Sequence, residues 1–230
     1  MDIINLQGIW KSFPDGENGR VEVLRDLSLS VRKGEFLSIM GESGAGKSTL
    51  LSILGTLLKP DRGTYTLGGE DVLKEGTDLD SLRNRTIGFL FQDHRLLGQF
   101  TALENVLLPT LALRDTPPPE NVEYAHTLMS MMGISSLEGH YPSTLSGGEA
   151  GRVALCRALV MKPLVLLADE PTGQLDSRST RTISELLLRV RDDLGTTIVM
   201  VTHSSLCASY SSRILSLEGG VLHPISLQDR

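Results

Sequence analysis

Gly41 to Thr49, GESGAGKST, carries the clearest chemistry in the chain. Gly41, Glu42, Ser43, Gly44, Ala45, Gly46, Lys47, Ser48 and Thr49 follow a phosphate-binding pattern: a glycine, four free positions, then Gly-Lys-Ser. The glycines let the backbone curl so that successive N–H groups point inward and form a concave anion site. A helix start behind the loop adds a favourable dipole, and Lys47 brings a full positive charge to the β- and γ-phosphates. The Ser48 hydroxyl is left to meet Mg²⁺. The pattern requires a strand before it and a helix after it. Phe36 to Met40 is an apolar run, and Lys47 to Leu58 reads as a helix with leucines at 50, 51, 54, 57 and 58. A turn that carries Lys-Ser by chance would lack that context. A nucleoside triphosphate site is the reading that follows.

A second pattern, Leu164 to Pro171 (LVLLADEP), ends an apolar run in two carboxylates. At the C-terminal edge of a parallel strand, such acids stand where ligands bind in open α/β sheets. Asp169 suits a Mg²⁺ role through water, and Glu170 can face a nucleophilic water. The plainer alternative is a strand stop before a proline turn. Leu145-Ser-Gly-Gly-Glu149 is more discriminating. Ser146 and Glu149 form a capping box for a helix through Val160. That box leaves Gly147 and Gly148 unexplained, because each weakens a helix by about 1 kcal/mol. Bare amides there would suit an incoming anion, and one so far from the glycine loop suits another subunit's nucleotide. Gln92 and His203 end apolar runs that a parallel sheet would bring beside the phosphates. Gly173 to Asp176 reads equally as a cap for the next helix.

The elements that carry these residues alternate. Residues 2 to 40 read as strands broken by the polar turn Pro14 to Gly19. Thr64 to Leu67 reads as an edge strand, Asp78 to Arg85 as a short helix, and Ile87 to Phe91 as a buried strand. From Gln92 to Lys162 the character is helix and loop. Thr101 and Glu104 box the start of a helix through Leu113, and Glu120 to Met132 carries apolar residues, including two methionines, at helical spacing. Strand character returns at Leu164 to Ala168 and Thr197 to Val201, with an amphipathic helix at Ser177 to Leu194 between them. A short helix and a terminal hairpin follow. The fold expected is α/β: a core with a mainly parallel sheet, an N-terminal antiparallel β part and an inserted helical part. One domain, 1–230, is expected, with 1–91 and 163–230 as the core and 92–162 as the helical subdomain.

Bulk properties narrow the function. The 230 residues are 40% hydrophobic and 22% charged, with a net charge of −6, so no general basic field attracts nucleic acid. Cys156 and Cys207 form no metal or redox pattern and read as small core residues. No leader is visible at the N-terminus, and no apolar run nears the roughly 20 residues that cross a bilayer. A membrane role would come through a partner.

Taken together, Lys47, Gln92, Ser146-Gly-Gly, Asp169-Glu170, Asp176 and His203 stand in the order found in ATP-binding subunits of ABC transporters, and the resemblance covers essentially the whole chain. It implies a P-loop NTPase core of the RecA-like type, using ATP and Mg²⁺. Gly41 to Thr49 then corresponds to Walker A, Gln92 to the Q-loop, Leu145 to Glu149 to the signature, and Asp169 to the Walker B aspartate. Glu170 corresponds to the catalytic base, Leu175-Asp176 to the D-loop, His203 to the switch histidine, and Phe13 to the aromatic that stacks on adenine. The resemblance assigns catalysis to Lys47, Gln92, Glu170 and His203, and Mg²⁺ to Ser48, Gln92 and Asp169. It assigns nucleotide binding to Phe13, the nine loop residues, Ser146, Gly147, Gly148 and Asp176.

The resemblance also implies a head-to-tail homodimer with the signature acting in trans. It places the chain on the cytoplasmic face of the inner membrane, docked to integral permease subunits through Gln92 to Val106. Within the family, Phe89 to Val106 with Pro109 resembles the ATPases of lipoprotein-releasing systems. Gln92-Asp-His94 and Leu96-Leu97 also resemble the cell-division and macrolide-exporter branches, where the ATPase would act as a clamp that signals or pulls. Four positions depart from the family pattern: Ala150, Gly151, Gln174 and Ser204. Gly151 should cost about 1 kcal/mol relative to alanine in a helix, so a larger residue there should stabilise unless close packing keeps it small.

Overall fold

The computed structural model describes residues 1–16, 19–112, 114–173 and 175–225. β1 (Asp2–Asp15) and β2 (Gly19–Arg32) pair antiparallel, and alternation buries Ile4 and Leu6 of the first against Leu29 and Val31 of the second. β4 (Arg62–Leu67) pairs with the other edge of β1, and the two-residue β5 (Glu70–Asp71) closes that sheet. Its order is β2-β1-β4-β5. Thr64 to Leu67 is therefore an inner strand, not the edge its alternation suggests.

β3 (Phe36–Met40), β6 (Ile87–Leu90), β7 (Val165–Asp169), β8 (Thr197–Val201), β9 (Arg213–Glu218) and β10 (Val221–Pro224) form the second sheet. Its order is β10-β9-β3-β8-β7-β6, all parallel except the terminal β9-β10 hairpin. Both faces are covered, which is why the central strands read as unbroken apolar runs. Val165, Leu167, Val199 and Val201 face one core, shared with the antiparallel sheet and α1 (Lys47–Leu54). Leu166, Ala168, Ile198 and Met200 face the other. That second core is completed by α3 (Ala102–Leu107), α4 (Pro119–Met131), α5 (Gly147–Leu159) and α6 (Ser177–Leu194). α2 (Leu79–Thr86), capped by Asp78, leads into β6, and α7 (Ser205–Ala208) follows β8.

Several bounds differ from the periodicity, each for a physical reason. α1 stops at Leu54, four residues before Leu58, because the chain turns at Gly55. A Cβ at Gly55 would lie 2.3 Å from the Phe89 ring, so the helix end is pressed onto β6. Leu57, read as one of the helix's leucines, lies beyond its end and is 55% exposed. α3 tightens into a 3₁₀ turn over Leu108–Leu111, where Pro109 cannot donate to the preceding turn. Leu113, Gln174 and the Glu17-Asn18 part of the first turn lie outside the described residues. The two methionines are core packing: Met129 in α4 and Met132 just past its end are buried. Cys156 and Cys207 are buried free thiols.

Candidate functional site

The glycine loop joins β3 to α1. Gly46 caps the helix at φ 100°, a conformation that glycine adopts without a Cβ penalty, and a Cβ there would also meet Val23 Cγ1 at 2.8 Å. Glycine is thus fixed twice, by backbone and by the approach of β2. Lys47 opens α1 and folds back over the loop, its ammonium donating to the Gly41 carbonyl at 2.7 Å and the Glu42 carbonyl at 2.9 Å. The lysine is therefore held at the mouth of the loop.

A cleft of about 440 Å³ opens beside it. Ser43, Gly44, Gly46, Lys47, Ser48 and Thr49 form one wall, and Gln92, Asp169 and Glu170 form the opposite side. Phe13, 37% exposed near the end of β1, and Val23 close one end. Gly41, Glu42 and Ala45 open instead onto a neighbouring cleft that also contains His203 and Leu217.

The parallel pairing of β7 with β8 registers Asp169 against Val201, so residues just past both strand ends must meet. Glu170 turns out of β7 at φ 44°, a left-handed conformation that costs a non-glycine residue about 1–3 kcal/mol. Its N–H donates to the Val201 carbonyl at 3.0 Å, and its carbonyl accepts from Gly173 at 3.0 Å, which holds the turn. The Glu170 carboxylate lies 2.8 Å from Nδ1 of His203 and accepts the His203 backbone N–H at 3.2 Å. Burial pushes the Asp169 carboxyl above its ordinary pKa, and the negative charge of Glu170 adds to this, while Arg95 and Lys47 pull it back.

The other sequence candidates assemble elsewhere. Ser146 caps α5 and shares a capping box with Glu149, whose carboxylate accepts the Ser146 amide at 2.8 Å and hydroxyl at 2.7 Å. Asp176 caps α6, accepting from the Arg178 and Ser179 amides at 2.8 and 3.0 Å. These two helix starts touch: a Cβ at Gly147 would lie 3.3 Å from Leu175, and one at Gly148 would lie 3.1 Å from the Ser179 hydroxyl. Close packing therefore gives both glycines a reason beyond bare amides. Neither Ser146 nor Asp176 lines the cleft around Lys47.

After Gln92 the backbone turns through His94 at φ 57° and Arg95 at φ 48°. Two successive left-handed non-glycine residues need an external hold. Arg157 of α5 supplies it, donating to the Arg95 carbonyl at 2.7 Å and the His94 carbonyl at 2.5 Å, and Arg95 stacks over Phe91 at 4.2 Å. Burial lowers the His94 pKa, against a raising influence from the Gly147 backbone. Farther on, Asn105 is fully buried and donates to the carbonyls of Leu97, Phe100 and Thr101, each at 3.0 Å.

Asn105 stands in the Phe89 to Val106 stretch read from the sequence, but its role in holding this loop is not visible there; nothing local marks Arg157. Of the expected docking residues, Leu96 packs on the core, whereas Leu97 stays 42% exposed. Ser204 caps α7 by accepting the Cys207 amide, which accounts for serine at that departure.

Among the described residues no cluster of three or more His, Cys, Asp or Glu side chains could hold a metal unaided. Ser48, Gln92 and Asp169 are instead oxygen donors on the cleft beside Lys47, a set suited to Mg²⁺ that would draw its remaining ligands from phosphate and water. No helix among those residues is long and apolar enough to cross a membrane.

A family model described as ABC transporter matches residues 24–173. The lipoprotein-releasing system ATP-binding protein LolD of Bacteroides thetaiotaomicron is 44% identical, covering 96% of this chain and 99% of its own. The protein of the same name from Geobacter metallireducens is also 44% identical, over 95% and 96% of the two chains. Among solved structures, a dimeric post-hydrolysis state of the ATP-binding cassette MJ0796 bound to ADP and Pi superposes with a TM-score of 0.85. It is 36% identical and covers 96% of each chain.

Proposed function

This chain belongs to the ABC transporter family, and from that premise we propose that it is the ATP-hydrolysing subunit of a membrane complex that releases lipoproteins. One observation carries the ATPase reading: Lys47, Ser48, Gln92, Asp169 and Glu170, from three separated stretches of sequence, line one cleft. Phe13 at the end of that cleft offers a ring face for adenine, and the loop amides with Lys47 receive the phosphates. Lys47 exchanges its bonds to the Gly41 and Glu42 carbonyls for phosphate oxygens. Ser48, Gln92 and Asp169 would hold Mg²⁺, which supplies charge neutralisation at the β- and γ-phosphates when bound.

Glu170 takes a proton from the attacking water, and His203 keeps that carboxylate aimed through the 2.8 Å contact. A paired Glu170 and His203 favour hydrolysis over a clamp that only binds. Ser146, Gly147 and Gly148 lie outside the Lys47 cleft, which supports their acting on the nucleotide of a second, head-to-tail copy, with Asp176 beside them at the joint. The dimeric form of the related cassette supports the same arrangement. Lipoprotein release rests on the near-complete coverage of relatives that carry that name. Permease subunits would dock on the Gln92 to Val106 segment, where Leu97 is exposed, and would hold the chain at the inner membrane's cytoplasmic face.

Lys47→Ala tests the nucleotide site. Loss of a charge-assisted contact to phosphate should weaken Mg-ATP binding by roughly 10–150-fold in a calorimetric titration. Unchanged affinity in a folded variant would remove the site from this loop.

A further inference from the structure

Gly151 departs from the long polar residue that its place in the signature helix would lead one to expect, and the structure gives a reason. It is buried, and a Cβ there would stand 3.3 Å from Cε1 and 3.7 Å from Nε2 of His94, and 3.5 Å from Ile183 Cδ1. The missing side chain leaves a notch, and the His94 ring fills it. Nδ1 of that ring is buried without a hydrogen-bond partner among the described residues, so shape rather than bonding at that nitrogen seats it. Arg157, on the same helix, holds the His94 and Arg95 carbonyls. α5 thus grips the turn after Gln92 at two points, while its first turn presents Ser146.

We infer that His94 is a positioning residue for ATP hydrolysis: seated against Gly151, it ties the turn after Gln92 to the helix that presents Ser146. The inference rests on the proposed function, in which Gln92 belongs to one nucleotide site and Ser146 to the other. A displacement of Gln92 by its own nucleotide then moves α5 as a body, and the signature turn with it. A loose ring would leave nucleotide binding intact and desynchronise the two sites.

The test is steady-state ATPase of the purified full chain with His94→Ala, His94→Phe, Gly151→Ala and the double variant His94→Ala/Gly151→Ala. Directly touching residues couple, so each alanine variant should lower kcat about five- to tenfold, and the double should lose no more than one single. ATP affinity should stay within about twofold, because neither residue lines the Lys47 cleft. His94→Phe, which refills the notch with a ring, should restore most of what His94→Ala loses. Multiplicative losses in the double variant, or His94→Phe as slow as His94→Ala, overturn the inference. If Gly151→Ala does not fold, the same contact requires His94→Ala to rescue its folding, and failure of that rescue overturns the pairing. Ser146→Arg serves as the control. If it hydrolyses ATP at the parental rate, the proposed site shared between two copies falls; if it is inactive while positions 94 and 151 act independently, only the present inference does.

Discussion

Replacing Glu170 by glutamine probes the chemistry with little change of shape. The carboxylate accepts the His203 amide and lies 2.8 Å from the His203 ring nitrogen, and the glutamine oxygen can still accept from that amide. The turn at φ 44° is fixed by backbone bonds that the substitution leaves alone. On the proposed role of Glu170, what is lost is the base, worth about 10²–10⁴ in rate, or about 3–5 kcal/mol of barrier. A second consequence comes from the neighbour. The charge of Glu170 is part of what holds the Asp169 proton, so its removal lets Asp169 ionise at lower pH. Glu170→Gln should therefore bind Mg-ATP at least as well as the parent, with the acid limb of that binding shifted to lower pH. Turnover should fall by about two to four orders of magnitude, and the variant should collect as an ATP-bound dimer. Phosphate release, nucleotide titration across pH and gel filtration with ATP read these separately. Turnover within a few-fold of the parent would show that another group activates the water.

Asp169→Asn should act in opposite directions on the empty and loaded chain. Because the folded state raises the Asp169 pKa, it binds that proton more tightly than the unfolded chain does. Stability from this group is fullest below the unfolded pKa and is lost as pH climbs through the raised folded value. The nucleotide-free asparagine variant should then melt higher than the parent while gaining less from Mg-ATP; thermal melts with and without Mg-ATP decide it, and a lower nucleotide-free melting temperature would contradict it. Leu97→Glu should spare ATP binding and basal hydrolysis and cut co-purification with membrane subunits, since the side chain is 42% exposed while its backbone is tied to Asn105. Normal co-purification would move the docking surface elsewhere.

Much of this arrangement was readable from residue types and spacing because the relevant signals are local. The glycine loop needs its strand and helix within a few residues, and both capping boxes occupy four consecutive positions, at Thr101 and Ser146. Continuous apolar runs at Leu164 to Ala168 and Thr197 to Val201 correctly implied a sheet covered on both faces. Long-range contacts stayed hidden. The early end of α1 depends on Phe89, more than thirty residues onward, and the inner place of β4 depends on its pairing with β1. Gly151 looked like a helix weakness because its neighbour in space, His94, is distant in sequence. Arg157 carried no signal at all, since the carbonyls that it holds acquire their geometry only in the folded turn.

The central claim, that each ATP is hydrolysed between the Lys47 cleft of one copy and the Ser146 turn of another, is tested most directly by mixing two inactive chains. On the proposed arrangement, Ser146→Arg blocks the turn meant for the partner's phosphate, and Lys47→Ala disables the chain's own loop. In a mixed head-to-tail dimer one composite site carries both lesions and the other carries neither. Differently tagged subunits allow the mixed dimer to be isolated and its formation verified before assay. Recovery of ATPase well above either inactive parent is the result that the shared site requires. Verified mixed dimers that remain as inactive as their parents would contradict it.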